Sequence, residues 1–161
     1  MPTLSLMMML VLAAPPGAES LLSTTFPVPG GGEVQAATLK PTVVVIDLWA
    51  TWCKPCIAAL PKLDAIARDL GPRGVVVLAV SQDEDPALVM RFLKEVRLEH
   101  LRPVMDVDHQ AAAKLGPKTL PSTFVLDATG VVRATFEGYK PGDEVKLRAA
   151  IEALLPAPPT P

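Results

Sequence analysis

Among its 161 residues the chain has two cysteines, two histidines and no long run of charge of one sign. Two cysteines cannot build the several-bridge framework of a small secreted scaffold. A chain of this length, half of it apolar, fills a single core without one. The formal net charge of −2, spread without a basic stripe, leaves nothing to track a phosphate backbone. Nucleic acid is therefore not an expected partner. The one leading apolar run, LSLMMMLVLAA at residues 4–14, falls short of the ~20 residues that cross a bilayer. No internal repeat is present.

That run is followed by PPGAES, with small residues where a signal peptidase could cut, so residues 1–18 read as a signal peptide. Nothing before Lys40 is basic, so the usual positively charged start is missing, and the competing reading is a frayed apolar tail. No cysteine follows the run, which removes a lipid anchor on cysteine. The expectation is a periplasmic or otherwise exported protein with no stable membrane span after processing, in a compartment where cysteines can be oxidised. At the other end residues 156–161, PAPPTP, form a proline-rich tail too stiff to join a core. The folded domain is expected over residues 21–155.

Within it, strand and helix signals alternate. TVVVIDLW (42–49) and GVVVLAVS (74–81) are β-branched apolar runs of strand length, each reading as a strand buried on both faces. Between them residues 54–70 carry Ile57, Leu60, Leu63, Ile66, Ala67 and Leu70 at helical spacing, stopped by Gly71 and Pro72. This βαβ unit implies a parallel pair with a right-handed crossover. Asp85 and Pro86 open a second helix with Leu88, Val89, Phe92, Leu93 and Val96 on one face. A short strand near 103–105, a short helix at 110–115, a hairpin from 122–127 to 131–138 and a closing helix over 140–155 complete the order. In the closing helix Val145, Leu147, Ile151, Leu154 and Leu155 are the apolar set.

Both cysteines lie in WATWCKPCIAALP, residues 49–61. A strand ends at Trp49, a short turn follows, and Cys53 stands where the helix begins, with Cys56 one turn inside. Unpaired backbone N–H groups and the positive helix end favour a thiolate at Cys53, and Lys54 adds positive charge. Pro55 fits the first helical turn, where its missing N–H costs little, and stiffens the loop. Cys56 is then the buried thiol, and thiol exchange can open and reclose a bridge between the two. Zinc would need two further ligands, and the only histidines are His100, in a turn, and His109, near a helix start. A permanent structural bridge is a weak reading, because so short a loop restrains the unfolded chain little. The P-x-x-x-[ST]-x-x-C frame of peroxiredoxins precedes neither cysteine.

The stretch VIDLWATWCKPC, residues 45–56, resembles the active site of thioredoxins, and the wider pattern is similar to the exported TlpA/ResA type of thioredoxin-like protein. Pro61 falls where the family kinks its active-site helix, LPSTF at 120–124 resembles its cis-proline loop, and Gly138 sits at its late glycine. The resemblance implies an α/β thioredoxin-like three-layer fold, with a mixed central sheet, helices on both faces and a TlpA/ResA-type central insertion. It implies a thiol–disulfide oxidoreductase needing no cofactor or metal. Cys53 attacks and Cys56 resolves, while Trp52, Leu120 and Pro121 hold an extended cysteine peptide by β-like backbone contacts. Its partners would be protein thiols and disulfides and a membrane or soluble thiol electron donor, in the family's usual reductive work, for example on apocytochrome c. A metallochaperone or redox-linked binding protein using the same cysteine pair is the alternative.

Asp47 falls where thioredoxins place a buried acid. A carboxylate within VVVIDLW is costly to bury charged, so its pKa is expected to rise, and it becomes an acceptor for the proton leaving Cys56. The plain alternative is a satisfied polar residue turned to a sheet edge. Thioredoxins partner this acid with a lysine on the following strand; residues 75–81 hold none, so the partner of Asp47 stays open.

Overall fold

The computed structural model describes residues 19–157; the signal peptide expected over 1–18 and the last four residues of the proline-rich tail lie outside the described residues. A mixed sheet of five strands forms the middle layer, in the order β5-β4-β3-β6-β7, where β3 is Val43–Trp49, β4 is Val75–Ser81, β5 is Arg102–Met105, β6 is Ser122–Asp127 and β7 is Val132–Glu137. β3 is central. It runs parallel to β4 and antiparallel to β6, and all seven of its residues are buried, which accounts for an apolar run without alternation.

Because side chains alternate along a strand, β3 feeds two cores. Val43, Val45 and Trp49 face helix α2 (Lys54–Leu70) and helix α5 (Asp143–Glu152), with Leu60, Leu63, Ile66, Leu147 and Ile151 packed there. Val89 of helix α3 (Pro86–Val96) joins this core, and Phe92 meets the Trp49 ring at 5.3 Å. Val44, Ile46 and Leu48 face the other layer, where Leu21 and Leu22 of helix α1 (Glu19–Leu22), Phe26 and Ala111 of helix α4 (Gln110–Leu115) cover the sheet. This is the three-layer, helix-on-both-faces arrangement that the family resemblance implies.

The chain enters β4 through Gly74 at φ +89°, a left-handed conformation suited to glycine. A Cβ there would lie 2.6 Å from the Thr42 hydroxyl, so a bare backbone is what lets the start of β3 lie against the turn. The hairpin turn between β6 and β7 is organised by Asp127, whose Oδ1 accepts from the N–H groups of Thr129 and Val131 and from the Thr129 hydroxyl. Asp64 of α2 accepts from the N–H groups of Glu99, His100 and Leu101, which pins the loop before β5 onto the helix.

Several expectations need correction. The hairpin of β1 (Thr25–Pro27) and β2 (Glu33–Gln35) was not expected, because three-residue strands flanked by glycines carry too little pattern. Leu88 and Val145, assigned to buried helix faces, are exposed. Leu88 sits one residue, about 100°, around its helix from Val89, and Val145 sits two residues, about 200°, around from Leu147, so both turn to solvent. The closing helix is shorter than 140–155, running Asp143–Glu152, and Leu155 is buried from the turn beyond it.

Candidate active site

Cys53 is the N-cap of α2, in extended conformation, with Lys54 and Pro55 opening the helix and Pro61 inside it. The turn before it closes through the Cys53 N–H donating to the Ala50 carbonyl. Cys53 and Cys56 are joined as a disulfide with Cα atoms 5.2 Å apart. The Cys56 N–H donates to Cys53 Sγ at 3.3 Å, so one of the four orphan donors of the helix start is aimed at the sulfur. Once the bridge is opened, that N–H and the positive helix end meet negative charge on Cys53 rather than on Cys56.

The sequence suggests an exposed Cys53 over a buried Cys56. In the oxidised pair the difference is small: Cys53 is 6% exposed and Cys56 fully covered. The order stands, but Cys53 presents only an edge of its sulfur. Around it Trp52 is 69% exposed, and Lys54 and Pro55 are exposed too. Leu120 is half-buried and Pro121 buried, with a cis peptide between them. The Pro121 carbonyl is already taken by the Gly138 N–H at 2.7 Å, which ties the loop to the end of β7.

Asp47 is fully buried in the central strand, so the edge alternative does not hold. Alternation places it on the face of Val45 and Trp49, the face that α2 and its cysteines cover. Burial pushes its carboxyl up to about 7, against the lowering effect of one hydrogen bond. That bond fills the gap left by the sequence: the Thr123 hydroxyl donates to Asp47 Oδ1 at 2.6 Å, from the position directly opposite on β6. Asp47 Oδ2 has no hydrogen-bond partner among the described residues, and neither has the buried Trp49 Nε1.

A small cleft of about 20 Å³, room for a water or two, opens beside this pair between α2, the end of β7 and α5. Pro121, Thr123, Lys62, Gly138, Tyr139 and Glu144 are among its walls. Asp47 does not line it; Thr123 does.

A second carboxylate was missed by sequence reasoning. Asp83, 7% exposed, accepts from the Thr51 N–H at 2.9 Å, the Thr51 hydroxyl at 2.6 Å and the Ser81 hydroxyl at 2.8 Å. It fastens the turn that delivers Cys53 to the end of β4. Ser81 is a local partner, but the turn that Asp83 fastens holds Thr51, 32 residues away, so SQDEDP alone does not mark it out. Thr123 could have been suspected from alternation along β6, but its partner requires the β3–β6 register. His100 and His109 are both exposed, and among the described residues no three His, Cys, Asp or Glu side chains gather as a metal site.

The chain is similar to known proteins. A thiol:disulfide interchange protein DsbE of Pseudomonas fluorescens biotype C is 30% identical over 124 residues, covering 77% of this chain and 66% of that protein. A thiol-disulfide oxidoreductase ResA of Bacillus anthracis is 29% identical over 103 residues, covering 63% of this chain and 58% of that one. The chain thus spans two thirds or less of the length of these curated relatives. A crystal structure described as a thiol:disulfide interchange protein DsbE from Chlorobium tepidum superposes with a TM-score of 0.77 at 28% identity, covering 86% of this chain and 96% of that one. The fold is the thioredoxin-like fold of the DsbE and ResA type, with the insertion of β5 and α4 between α3 and the cis-proline loop. The family model described as Redoxin matches residues 18–151, which include the cysteine pair, its cis-proline loop and the buried acid, and on that evidence the chain belongs to the redoxin family.

Proposed function

We propose that the protein is a thiol–disulfide oxidoreductase that exchanges disulfides with protein substrates through Cys53 and Cys56. The observation that carries this reading is the cysteine bridge at the α2 N-terminus, with the Cys56 N–H directed at Cys53 Sγ. Charge is favoured on one sulfur and not on the other, which divides the pair into an attacking and a resolving thiol.

In the reducing direction the Cys53 thiolate attacks a substrate disulfide, forming a Cys53–substrate bond and releasing the first substrate sulfur as thiolate. Cys56 then loses its proton to Asp47 and attacks Cys53 Sγ, closing the intramolecular disulfide and releasing the second substrate sulfur. Two electrons have passed to the substrate, and a thiol donor restores the pair. Trp52, Leu120 and Pro121 form the platform for an extended cysteine peptide, and Lys54 and Pro55 tune the acidity of the attacking thiol. Trp52, exposed as it is, supplies the apolar surface for that contact.

We place this work outside the cytoplasm and in the reductive direction, with apocytochrome c cysteines among its substrates. The resemblance to DsbE and ResA supports this placement. Equilibration of the pair against glutathione tests direction. A reductase is expected near about −270 mV or below, whereas a value near about −120 mV would make it an oxidant.

A further inference from the structure

We propose that Thr123 is a positioning residue for the exchange reaction: its hydroxyl holds Oδ1 of Asp47 and leaves Oδ2 to take the Cys56 proton. This rests on the reading of Asp47 as proton acceptor. Three observations meet at this one side chain. Thr123 stands directly opposite Asp47 in the β3–β6 register and donates to Oδ1 at 2.6 Å. Oδ2 is buried and without a partner among the described residues, so it is the oxygen with lone pairs to spare. Thr123, unlike Asp47, lines the cleft beside Pro121, so the side chain that holds the carboxyl stands next to the cis-proline loop.

The proton balance is closed. Cys56–SH gives its proton to Oδ2 as its sulfur bonds to Cys53, and the substrate sulfur leaves as thiolate. Asp47 Oδ2 returns the proton to the Cys56 sulfur when a donor thiolate attacks Cys53 and Cys56 leaves as thiolate, while the Thr123 hydroxyl keeps donating to Oδ1. A hydroxyl makes that bond, and valine of the same shape does not. Loss of the hydroxyl also removes the hydrogen bond that favours the ionised carboxyl, so Asp47 would ionise at higher pH.

Other ionisable groups facing this region are Cys56 and Lys62 from α2, Tyr139, and Asp143 and Glu144 from α5. The β4 segment Val75–Ser81 contributes none, and Asp127 of β6 lies at the far end, opposite Val43.

The test is the rate of mixed-disulfide resolution against pH in the full chain, using a peptide disulfide, for the parent, Thr123→Val and Thr123→Ser. The valine variant is expected to shift the midpoint up by about one unit and slow resolution about fivefold at pH 7, with the deficit closing toward pH 9. The serine variant is expected to keep the parent profile. Should valine prevent folding, Thr123→Ala takes its place. A parent-like profile in the valine or alanine variant, or a pH-independent deficit shared with serine, overturns the proposal. Asp47→Asn separates the two layers: if it slows resolution while Thr123→Val does not, the acceptor reading stands and this inference falls. If Asp47→Asn leaves resolution unchanged, the acceptor reading itself falls.

Discussion

Replacing Asp47 with asparagine is expected to change how stability depends on pH. The folded carboxyl is raised from 3.8 to about 7, so the folded state holds a proton that the unfolded chain has released between pH 4 and 7. Stability from this group is therefore fully present below about pH 4, falls as pH rises through 7, and stays at its low value above. The shift of about three units corresponds to about 4 kcal/mol. The asparagine side chain is neutral at every pH, so in the variant that loss disappears. The Thr123 hydroxyl keeps an oxygen to donate to, but the new amide N–H groups face the region where Oδ2 has no partner, at a cost of about 1–3 kcal/mol. Asp47→Asn should thus be less stable than the parent by about 1–3 kcal/mol at pH 4, and more stable by about 1–3 kcal/mol at pH 8. The assay is denaturant unfolding of the oxidised protein at several pH values from 4 to 8, read as the variant-minus-parent difference. A rise of about 4 kcal/mol across that range is expected. A flat or falling difference would refute the claim that Asp47 is buried with a raised pKa.

Asp83→Ala removes the acceptor shared by the Thr51 N–H, the Thr51 hydroxyl and the Ser81 hydroxyl; it is expected to cost about 1–3 kcal/mol and to slow attack by Cys53, with Asp83→Asn intermediate. Stopped-flow reaction with a peptide disulfide and denaturant unfolding check both halves. Asp127 behaves oppositely to Asp47: burial alone would raise it, but its bonds from Thr129, Arg133 and Val131 outweigh that and hold it at about 2. It contributes stability above about pH 4 that is lost as pH falls through 2, and Asp127→Asn should remove that acid limb from the unfolding profile.

What could be read from the chain before the fold was known divides along physical lines. β3, β4 and α2 were legible because burial on both faces or on one stripe leaves an uninterrupted run or a helical period. Cys53 and Cys56 were legible because strand end, turn and helix start are consecutive in the sequence, whereas the LPSTF loop was read only from its resemblance to a known family. The β1–β2 hairpin was not, since three residues cannot display alternation. Thr123 and Asp83 were not, because each acts through a partner brought near only by strand pairing, 76 residues away for Thr123 and 32 for Asp83. Asp47 lies between: its cost of burial is written in VVVIDLW, while the group that meets it is not. The exposure of Cys53 was overestimated because the closed bridge and the packed α2 N-terminus cover most of its sulfur.

The central claim is that one sulfur attacks and the other resolves. Single-cysteine variants incubated with a protein disulfide, and read by mass spectrometry of trapped adducts, test it most directly. Cys56→Ser is expected to accumulate a mixed disulfide at Cys53, while Cys53→Ser should form none and reduce no insulin disulfide. Equal trapping by the two variants, or trapping at Cys56 alone, would contradict the division of roles that the Cys56 N–H on Cys53 Sγ implies.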